Sequence, residues 1–464
     1  MENSLRIKTE EQNITSDTIL PCIPEIFIDE HRGEYLVLNP LGPWWFVGSR
    51  LHADFIRLCD GKRTIKDIRE SLSLSHNGIT DEHMVYITKS LYAANFFTAT
   101  CKRKILPLNV VFYNITRRCN LNCPYCYYDS IPAAYKENKS ETELDSAVWI
   151  KLAHEIAGIN PRAKIMISGG EPLIRPDAIE IIDGVSRENL NVKLVTNGTL
   201  LTGDMISLLA DIPKLSIQVS IDSIIPEENA KSRGSGSLEK ALTAVRQMSD
   251  AGIDVEISAT ITKLNIKNIR KFKEFCDENH IKFRSSIFML SGKKTRENAQ
   301  WLELSPEEYL EASLYILEYY DPDTTMGHPM TPGERRYGCG LGYGQVDISP
   351  DGSLYPCSHI YDSEFCLGNI QTSNLRHLVA EGYNRYSSCD VDKMSHCSSI
   401  KCPVRYFCAG GCRANSLHNY GIIDVPAKNC NELKQIYING LWVSVLGSTF
   451  LKERQTDRES RKEL

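Results

Sequence analysis

The stretch RRCNLNCPYCYYDS, from Arg117 to Ser130, decides how the rest of the chain is interpreted. It places Cys119, Cys123 and Cys126 in the spacing C-x3-C-x2-C. Thiolates are soft ligands that suit zinc and iron–sulfur clusters. Closed sites of both kinds use four protein ligands, and no fourth cysteine lies nearby. The stretch is therefore an incomplete metal site, a disulfide fragment, or a site with one open position, such as a catalytic zinc that also binds water.

The composition limits the class of protein. The chain has 464 residues, is 42% hydrophobic and carries a formal net charge of −6, so we expect about two to four domains. The acidic balance argues against a nucleic-acid partner. The polar N-terminus has no apolar signal region, and no apolar run approaches the roughly 18–20 residues of a membrane helix. We expect a cytoplasmic protein with neither nucleic acid nor membrane as partner.

Sixteen cysteines are unusual for such a chain, because a reducing cytosol disfavours disulfides. Nine of them lie between Cys339 and Cys430, and clustered cysteines in a reducing compartment indicate metal ligation. Four cysteines lie outside the clusters, and we interpret them as ordinary buried thiols: Cys22, Cys59, Cys101 and Cys276.

From Asn109 onward, apolar strand-like runs alternate with helical segments. The predicted strands are VVFYNIT, KIMISGG, VKLVTNG, LSIQVSID, VEISATIT and KFRSSIFM. Apolar strands that alternate with helices indicate an α/β fold with a parallel sheet covered on both faces. Six units fall short of the eight in a closed barrel, so we predict a partial (β/α)6 TIM-type barrel. The opening cysteines follow its first strand, at the edge where β/α enzymes build active sites.

The segment from Pro24 to Thr100 has a different pattern. EIFIDE and EYLVLNP predict two strands around a turn, and helices are predicted in SRLHADFIRLCDGK, TIKDIRESL and DEHMVYITKSLYAANF. This order is typical of a winged-helix-like α+β unit. Winged helices often bind DNA, but the first helix carries few basic residues. DNA binding and a mere packing role are the less favoured alternatives for this unit.

The cysteine spacing, with Tyr125 before the third cysteine, resembles the signature of radical S-adenosylmethionine (radical SAM) enzymes. SGGEP, TNG, SID and RGSGS follow at or after strand ends in that family's order. The resemblance implies a four-iron cluster on Cys119, Cys123 and Cys126, whose open iron binds S-adenosylmethionine. It also implies a cofactor site lined by Tyr125, Gly169, Gly170, Glu171, Asn197, Ser220 and Arg233.

The resemblance implies the reaction class as well. In that family, an electron from the reduced cluster cleaves S-adenosylmethionine to a 5′-deoxyadenosyl radical, which abstracts a hydrogen from the substrate. A reductant such as flavodoxin or ferredoxin is then expected as a partner. The sequence does not identify the catalytic acid or base, for which Asp222, Glu256 and Tyr113 are candidates.

The C-terminal cysteines resemble the SPASM extension of radical SAM enzymes, which holds two auxiliary [4Fe-4S] clusters. GSLYPC supplies the element G-x4-C and CPVRYFCAGGC supplies C-x5-C-x3-C, whereas the gap from Cys397 to Cys402 is x4 in place of the usual x2. The resemblance implies Cys339, Cys357 and Cys412 for the first cluster, and Cys397, Cys402, Cys408 and Cys430 for the second. Either Cys366 or Cys389 completes the first, or one iron stays open. A zinc ribbon would leave several cysteines unused.

The stretch from Tyr35 to Leu72 resembles the PqqD-like leader-peptide recognition domain of peptide-modifying enzymes, which adds a precursor peptide as a strand to a sheet edge. Together these resemblances predict a radical SAM maturase of a ribosomally made precursor peptide with a leader segment. We expect a cysteine thioether cross-link. The alternatives are carbon–carbon cross-linking, oxidation of one residue as in sulfatase maturases, and, remotely, a non-catalytic metal-binding regulator.

The predicted organisation has five parts. They are a flexible tail (1–20), the leader-recognition domain (21–100), the radical SAM partial barrel (105–325), the SPASM domain (330–435), and a C-terminal helix with a tail (436–464). The precursor sequence and the oligomeric state are not encoded in any motif that we recognise.

Overall fold

The computed structural model describes residues 14–97, 108–132, 143–319, 336–399 and 402–460. The strands within these ranges are β1 (Phe27–His31), β2 (Glu34–Asn39), β3 (Trp44–Ser49), β4 (Val110–Thr116), β5 (Arg118–Cys119), β6 (Ile131–Pro132), β7 (Lys164–Gly169), β8 (Asn191–Thr196), β9 (Leu215–Ser220), β10 (Asp254–Ile261), β11 (Lys282–Ile287), β12 (Gln345–Ile348), β13 (Ser353–Tyr355) and β14 (Gly368–Asn369).

The α-helices in the same ranges are α1 (Arg50–Leu58), α2 (Ile65–Leu72), α3 (Asp81–Ala93), α4 (Ser146–Ile159), α5 (Ala178–Arg187), α6 (Gly203–Ala210), α7 (Pro226–Arg233), α8 (Ser237–Asp250), α9 (Ile269–Glu278), α10 (Lys293–Asn298), α11 (Pro306–Glu318), α12 (Leu375–Tyr386), α13 (Ser395–Ser399), α14 (Arg405–Cys408), α15 (Arg413–Tyr420), α16 (Cys430–Leu446) and α17 (Thr449–Ser460). None of the described helices is long and apolar enough to cross a membrane.

The main sheet has the strand order β11-β10-β9-β8-β7-β4-β12-β13-β14. Strands β4 and β7 to β11 are parallel neighbours, and they are the six strands predicted from the sequence. The partial-barrel prediction is therefore confirmed. Trp149 of α4 and Ile181 of α5 are fully buried in the core that these strands share with their helices. Along β9 and β10, however, buried residues alternate with half-buried ones, so only one face of these strands is fully covered, contrary to the expectation of a sheet covered on both faces.

The cysteine-rich region extends this sheet. β12 pairs in parallel with β4, with Gln345 opposite Val110, and β13 and β14 continue as antiparallel strands. The sequence analysis predicted no strand here. β12 has only four residues, which is too short for an apolar period to be recognised.

The N-terminal unit contains the antiparallel sheet β1-β2-β3 and helices α1 to α3. The three helices and two strands were predicted, and β3 was missed. Thr64 and Thr80 begin α2 and α3 with capping boxes, which satisfy free N–H groups of the first turn. One face of the sheet packs on these helices, through Val37 and Phe46.

Two C-terminal helices cover the other face of this sheet. Leu36 and Leu38 of β2 pack against Leu441 and Trp442 of α16, and the Trp442 indole donates a hydrogen bond of 2.7 Å to Asp29. The prediction of one helix followed by a tail is wrong, because α17 continues through Ser460 after a break between α16 and α17. The N-terminal unit is thus packed against the end of the chain.

Candidate active site

The opening cysteines lie in the loop that follows β4. Cys119 belongs to the short strand β5 and is buried, while Cys123 and Cys126 are partly exposed. The backbone N–H of Leu121 donates to the Cys119 sulfur over 3.4 Å, and that of Ser130 donates to the Cys126 sulfur over 3.5 Å. Hydrogen bonds of this kind favour the charged thiolate, which is the form that ligates iron.

The arrangement of these thiols fits a cluster better than a single ion. Burial raises the pKa of the Cys119 thiol to about 12, and the charges of Glu171, Cys123 and Cys126 add to the rise. The sulfurs are therefore close neighbours. Yet nowhere in the described ranges do three His, Cys, Asp or Glu side chains converge on one metal ion. A zinc site needs ligands about 2.0–2.3 Å from one ion, whereas the cysteines of a cluster bind separate irons.

Two predicted cofactor residues, Gly169 and Gly170, contact the chain's own cysteine loop. A Cβ on Gly169 would collide with the carbonyl oxygen of Thr116, and one on Gly170 would collide with that of Arg118. Gly169 also has a φ of 129°, which side chains rarely adopt. The glycines therefore let the end of β7 approach the start of the cysteine loop.

Glu171 joins the ends of β7 and β8. Its carboxylate accepts hydrogen bonds from the Thr196 hydroxyl (2.7 Å), the Asn197 N–H (2.8 Å) and the Leu173 N–H (3.3 Å). The side chain is buried, and burial raises the pKa of Glu171 to about 6 in spite of these donors. Its carboxylate thus already stabilises the strand ends that surround the predicted cofactor site.

The end of β8 is also connected to the cysteine loop. The Asn197 amide donates to Asn120 over 2.9 Å, and the Asn120 amide donates to Thr199 over 2.8 Å. Ser220 lies at the matching end of β9. The sequence analysis missed Asn120, although its position inside the cysteine motif was a usable signal.

Arg233 forms a buried ion pair with Asp222. Its guanidinium donates to the carboxylate over 2.9 and 3.1 Å, and it lies over the Tyr125 ring, 5.7 Å from the ring centre. The Tyr125 hydroxyl donates to the same carboxylate. These contacts hold the aromatic residue of the cysteine motif against the strand ends. The structure thus places every predicted cofactor residue along one edge of the sheet, around the opening cysteines.

None of the three candidate acids or bases is free to act on a substrate. Asp222 is held by Arg233 and is buried. Glu256 pairs with Lys193 at 2.5 Å. Tyr113 is fully buried, its ring packs on Trp149 with centres 4.7 Å apart, and burial raises its pKa well above the ordinary value.

A cavity of about 150 Å³ lies between the opening loop and the cysteine-rich region. It is lined by Arg117, Tyr128, Asp129, Gly292, Ser349, Tyr355, His359, Tyr361, Asp362 and His418. The sequence analysis missed all of these residues. The run SHIYD directly after Cys357 carried a weak signal, since it supplies three of the lining side chains.

A fully buried carboxylate, Asp347, lies close to this cavity on β12. Asn114 donates to it, and the Asn114 amide also contacts the Tyr361 hydroxyl at 3.0 Å. Burial raises the pKa of Asp347 to about 8, so the fold favours the neutral carboxyl. A hydrogen-bonded polar cluster thus links β4, β12 and the cavity wall.

The C-terminal cysteines form two groups in the structure. The charges of Cys402, Cys430 and Cys397 contribute to the raised pKa of Cys408, whose first cause is burial. Burial also raises the pKa of Cys357, and the charges of Cys412 and Cys339 add to that shift. Within each predicted set, the charges of the cysteines thus act on one another, including that of Cys397, whose spacing departs from the usual pattern.

Family profiles match both cysteine-bearing regions. Residues 113–278 match the radical SAM superfamily, and residues 339–403 match the iron–sulfur cluster-binding domain SPASM. With the loop geometry above, these matches show that the chain contains a radical SAM domain and a SPASM domain. Its cofactors are S-adenosylmethionine and iron–sulfur clusters.

Two known proteins are similar to this chain in sequence. The chain is 26% identical to the antilisterial bacteriocin subtilosin biosynthesis protein AlbA of Bacillus subtilis, over 68% of this chain and 69% of that protein. It is 24% identical to the mycofactocin maturase MftC of Mycobacterium tuberculosis, over 68% and 81%.

Two solved structures share the fold. Streptococcus suis SuiB bound to precursor peptide SuiA has a TM-score of 0.54 and 17% identity, covering 88% of this chain and 98% of SuiB. Native anSMEcpe with bound AdoMet and the Cp18Cys peptide has a TM-score of 0.58 and 18% identity, covering 75% and 99%.

Proposed function

We propose that this enzyme matures a ribosomally made precursor peptide by installing a cross-link. The type of cross-link that we favour is a cysteine thioether. The observation that carries the proposal is the cavity of about 150 Å³ between the opening cysteine loop and the SPASM cysteines. A side chain of an extended peptide that enters this cavity lies between the two regions. The names of AlbA and MftC, and the peptide bound by SuiB, agree with such a substrate.

The residues around the opening loop prepare the site for its cofactors. Cys119, Cys123 and Cys126 would hold the first cluster, and Glu171 and Arg233 would position S-adenosylmethionine beside it. When bound, these two cofactors supply one-electron reduction and hydrogen abstraction. The cavity walls would position the substrate, because Tyr128, Tyr355 and Tyr361 contribute aromatic surface beside charged groups such as Arg117 and Asp362.

The N-terminal sheet supplies a place for the leader segment. Both of its faces are covered, one by α1 to α3 and the other by α16, so only its edges are open to a further strand. The β1 edge lies on the side where Asp29 pairs with Arg454 and Arg32 pairs with Glu453 of α17. We therefore assign the leader to β3, where main-chain hydrogen bonds would give affinity.

The SPASM cysteines give two auxiliary clusters, and so three [4Fe-4S] clusters in total. Such clusters can accept the electron that remains when a cross-link closes. A flavodoxin or ferredoxin would reduce the opening cluster. The thioether is our first choice, and its closure needs an auxiliary cluster only as an electron acceptor, so it does not depend on an open iron that binds the substrate thiolate.

Co-expression with the short open reading frame beside the gene tests this function. A thioether is expected to remove two hydrogen atoms from the precursor mass and one thiol from reaction with iodoacetamide. Loss of two hydrogens with all thiols still reactive indicates carbon–carbon cross-linking. A Cys123→Ala variant is the matched control and should leave the peptide unchanged. An unmodified peptide with the wild-type enzyme contradicts the proposal.

A further inference from the structure

We propose that Cys389 is the fourth protein ligand of the auxiliary cluster held by Cys339, Cys357 and Cys412. This inference rests on the cluster assignment within the proposed function, and it deepens that assignment. It means that no iron of this cluster is left open for a substrate thiolate. The cluster then takes part in the reaction as an electron carrier.

Two chain segments place Cys389 beside Cys339. The Val391 N–H donates to the Tyr337 carbonyl over 2.8 Å, and a Cβ on Gly338 would lie 3.3 Å from the Cys389 carbonyl oxygen. Residues 337–339 and 389–391 therefore run side by side. Both cysteines also line one small cavity.

The other two ligands belong to the same part of the domain, where Cys357 is buried and Cys412 is exposed. Cys357 and Cys389 share one apolar cluster with Tyr386 and Ala414, and Ala414 follows Cys412 by two positions. Four thiols thus border a common region of the cysteine-rich domain. A four-iron cluster is held by four cysteine thiolates when all its irons have protein ligands.

Cys389 is buried close to a positive charge. The residue is 5% exposed, and its sulfur lies 3.9 Å from the Ile423 carbonyl, which is long even for sulfur. The same carbonyl accepts from the buried guanidinium of Arg413 over 3.2 Å. On ligation, the Cys389 thiol loses its proton to solvent and its sulfur lone pair binds iron.

The rival residue, Cys366, is placed differently. It lies at the end of a short turn before β14, and its sulfur contacts the Gly368 carbonyl at 3.5 Å. Cys366 is not among the described residues that line the cavity shared by Cys339 and Cys389. Its backbone carbonyl accepts from Arg385 of α12 over 3.3 Å.

The test uses the full chain in a Cys119→Ala/Cys123→Ala/Cys126→Ala background, which removes the opening cluster and its open iron. Anaerobically reconstituted protein is examined by electron paramagnetic resonance, with and without added 2-mercaptoethanol, and for iron and sulfide content. The parent and its Cys366→Ala form are expected to give spectra that the thiol does not change. The Cys389→Ala form is expected to give a spectrum that the thiol changes, and to lose about one iron on mild oxidation.

A Cys389→Ser variant distinguishes the loss of a ligand from misfolding. A serine oxygen can replace the sulfur, so this variant should retain the iron and show shifted g-values. The inference is overturned if the thiol already changes the parent spectrum, if Cys366→Ala produces the change, or if Cys389→Ala behaves like the parent. Precursor mass is measured separately with the intact opening cluster. Peptide cross-linking by the wild-type enzyme therefore shows whether the proposed function survives independently of this result.

Discussion

Arg233 and Asp222 form a two-nitrogen ion pair, at 2.9 and 3.1 Å, beneath the ring of Tyr125. The pair joins the helix after β9 to the aromatic residue of the cysteine motif. The carboxylate also accepts from the Thr260 N–H over 3.0 Å, so it connects β10 to the same point. The edge of the barrel that receives the cofactor is thus held by one buried charge pair.

Asp222→Asn is expected to lower the free energy of unfolding by about 3–5 kcal/mol, because it leaves the Arg233 charge buried and unpaired. Asp254→Asn is the matched control, since its pair with Lys282 is exposed and contributes about 0–1 kcal/mol. Anaerobic urea unfolding of the reconstituted protein measures both values. Equal small losses in the two variants would show that the buried pair does not hold this edge together.

Gly170→Ala is expected to prevent the protein from binding the cluster assigned to Cys119, Cys123 and Cys126. The added methyl group collides with the Arg118 carbonyl and comes within 2.7 Å of that of Arg117, so the cysteine loop must move. Gly158→Ala on α4 is the control, because its Cβ meets nothing within 4 Å, and it should be neutral or stabilising by about 0.5–1 kcal/mol. Iron analysis should show a loss of about four irons in Gly170→Ala alone; full iron content there would contradict the packing argument.

Asp347 predicts a pH dependence of stability. Its folded pKa of about 8 lies above the model-peptide value of 3.8, so the carboxyl stays neutral in the fold while the unfolded chain ionises. Its contribution is fully present below pH 3.8 and falls by about 1.4 kcal/mol per pH unit until pH 8. Asp347→Asn should therefore gain thermal stability relative to wild type between pH 5 and pH 8. An exposed control, Asp211→Asn, should show no such gain, and a flat difference for Asp347→Asn would refute the prediction.

The leader site on β3 can be tested without a substitution. A synthetic peptide with the sequence of the neighbouring open reading frame should slow backbone hydrogen exchange in Trp44–Ser49, because added strand hydrogen bonds protect edge amides. Amides of Phe27–His31 should be unaffected. Protection confined to β1, or absent from the whole N-terminal sheet, would contradict the assignment.

The sequence predicted the barrel well because six strand-like runs alternate regularly with helical segments, and each strand except β11 buries apolar residues in one shared core. It missed β3 because WWFVGS runs directly into α1 at Arg50, so its end was taken as part of the helix. β12 was missed because four residues carry no recognisable period. In each case the strand is defined by its partners in space, which the local pattern does not contain.

Some residues of the candidate site could be predicted from the sequence, and others could not. The opening cysteines, Glu171 and Arg233 were predictable because each lies in a short motif at or after a strand end. The cavity was not, because Arg117 and His418 are about 300 positions apart and are brought together only by packing. Cys389 was left undecided beside Cys366 because its neighbours Tyr337 and Gly338 are distant in sequence.

The measurement that tests the central claim most directly is 5′-deoxyadenosine production by anaerobically reconstituted protein with dithionite and S-adenosylmethionine. The wild type should form 5′-deoxyadenosine and contain iron and sulfide. Cys123→Ala should lose this activity while it keeps the iron of the SPASM cysteines. A protein that holds zinc without sulfide, or a Cys123→Ala variant that still forms 5′-deoxyadenosine, would contradict the assignment of the opening cysteines.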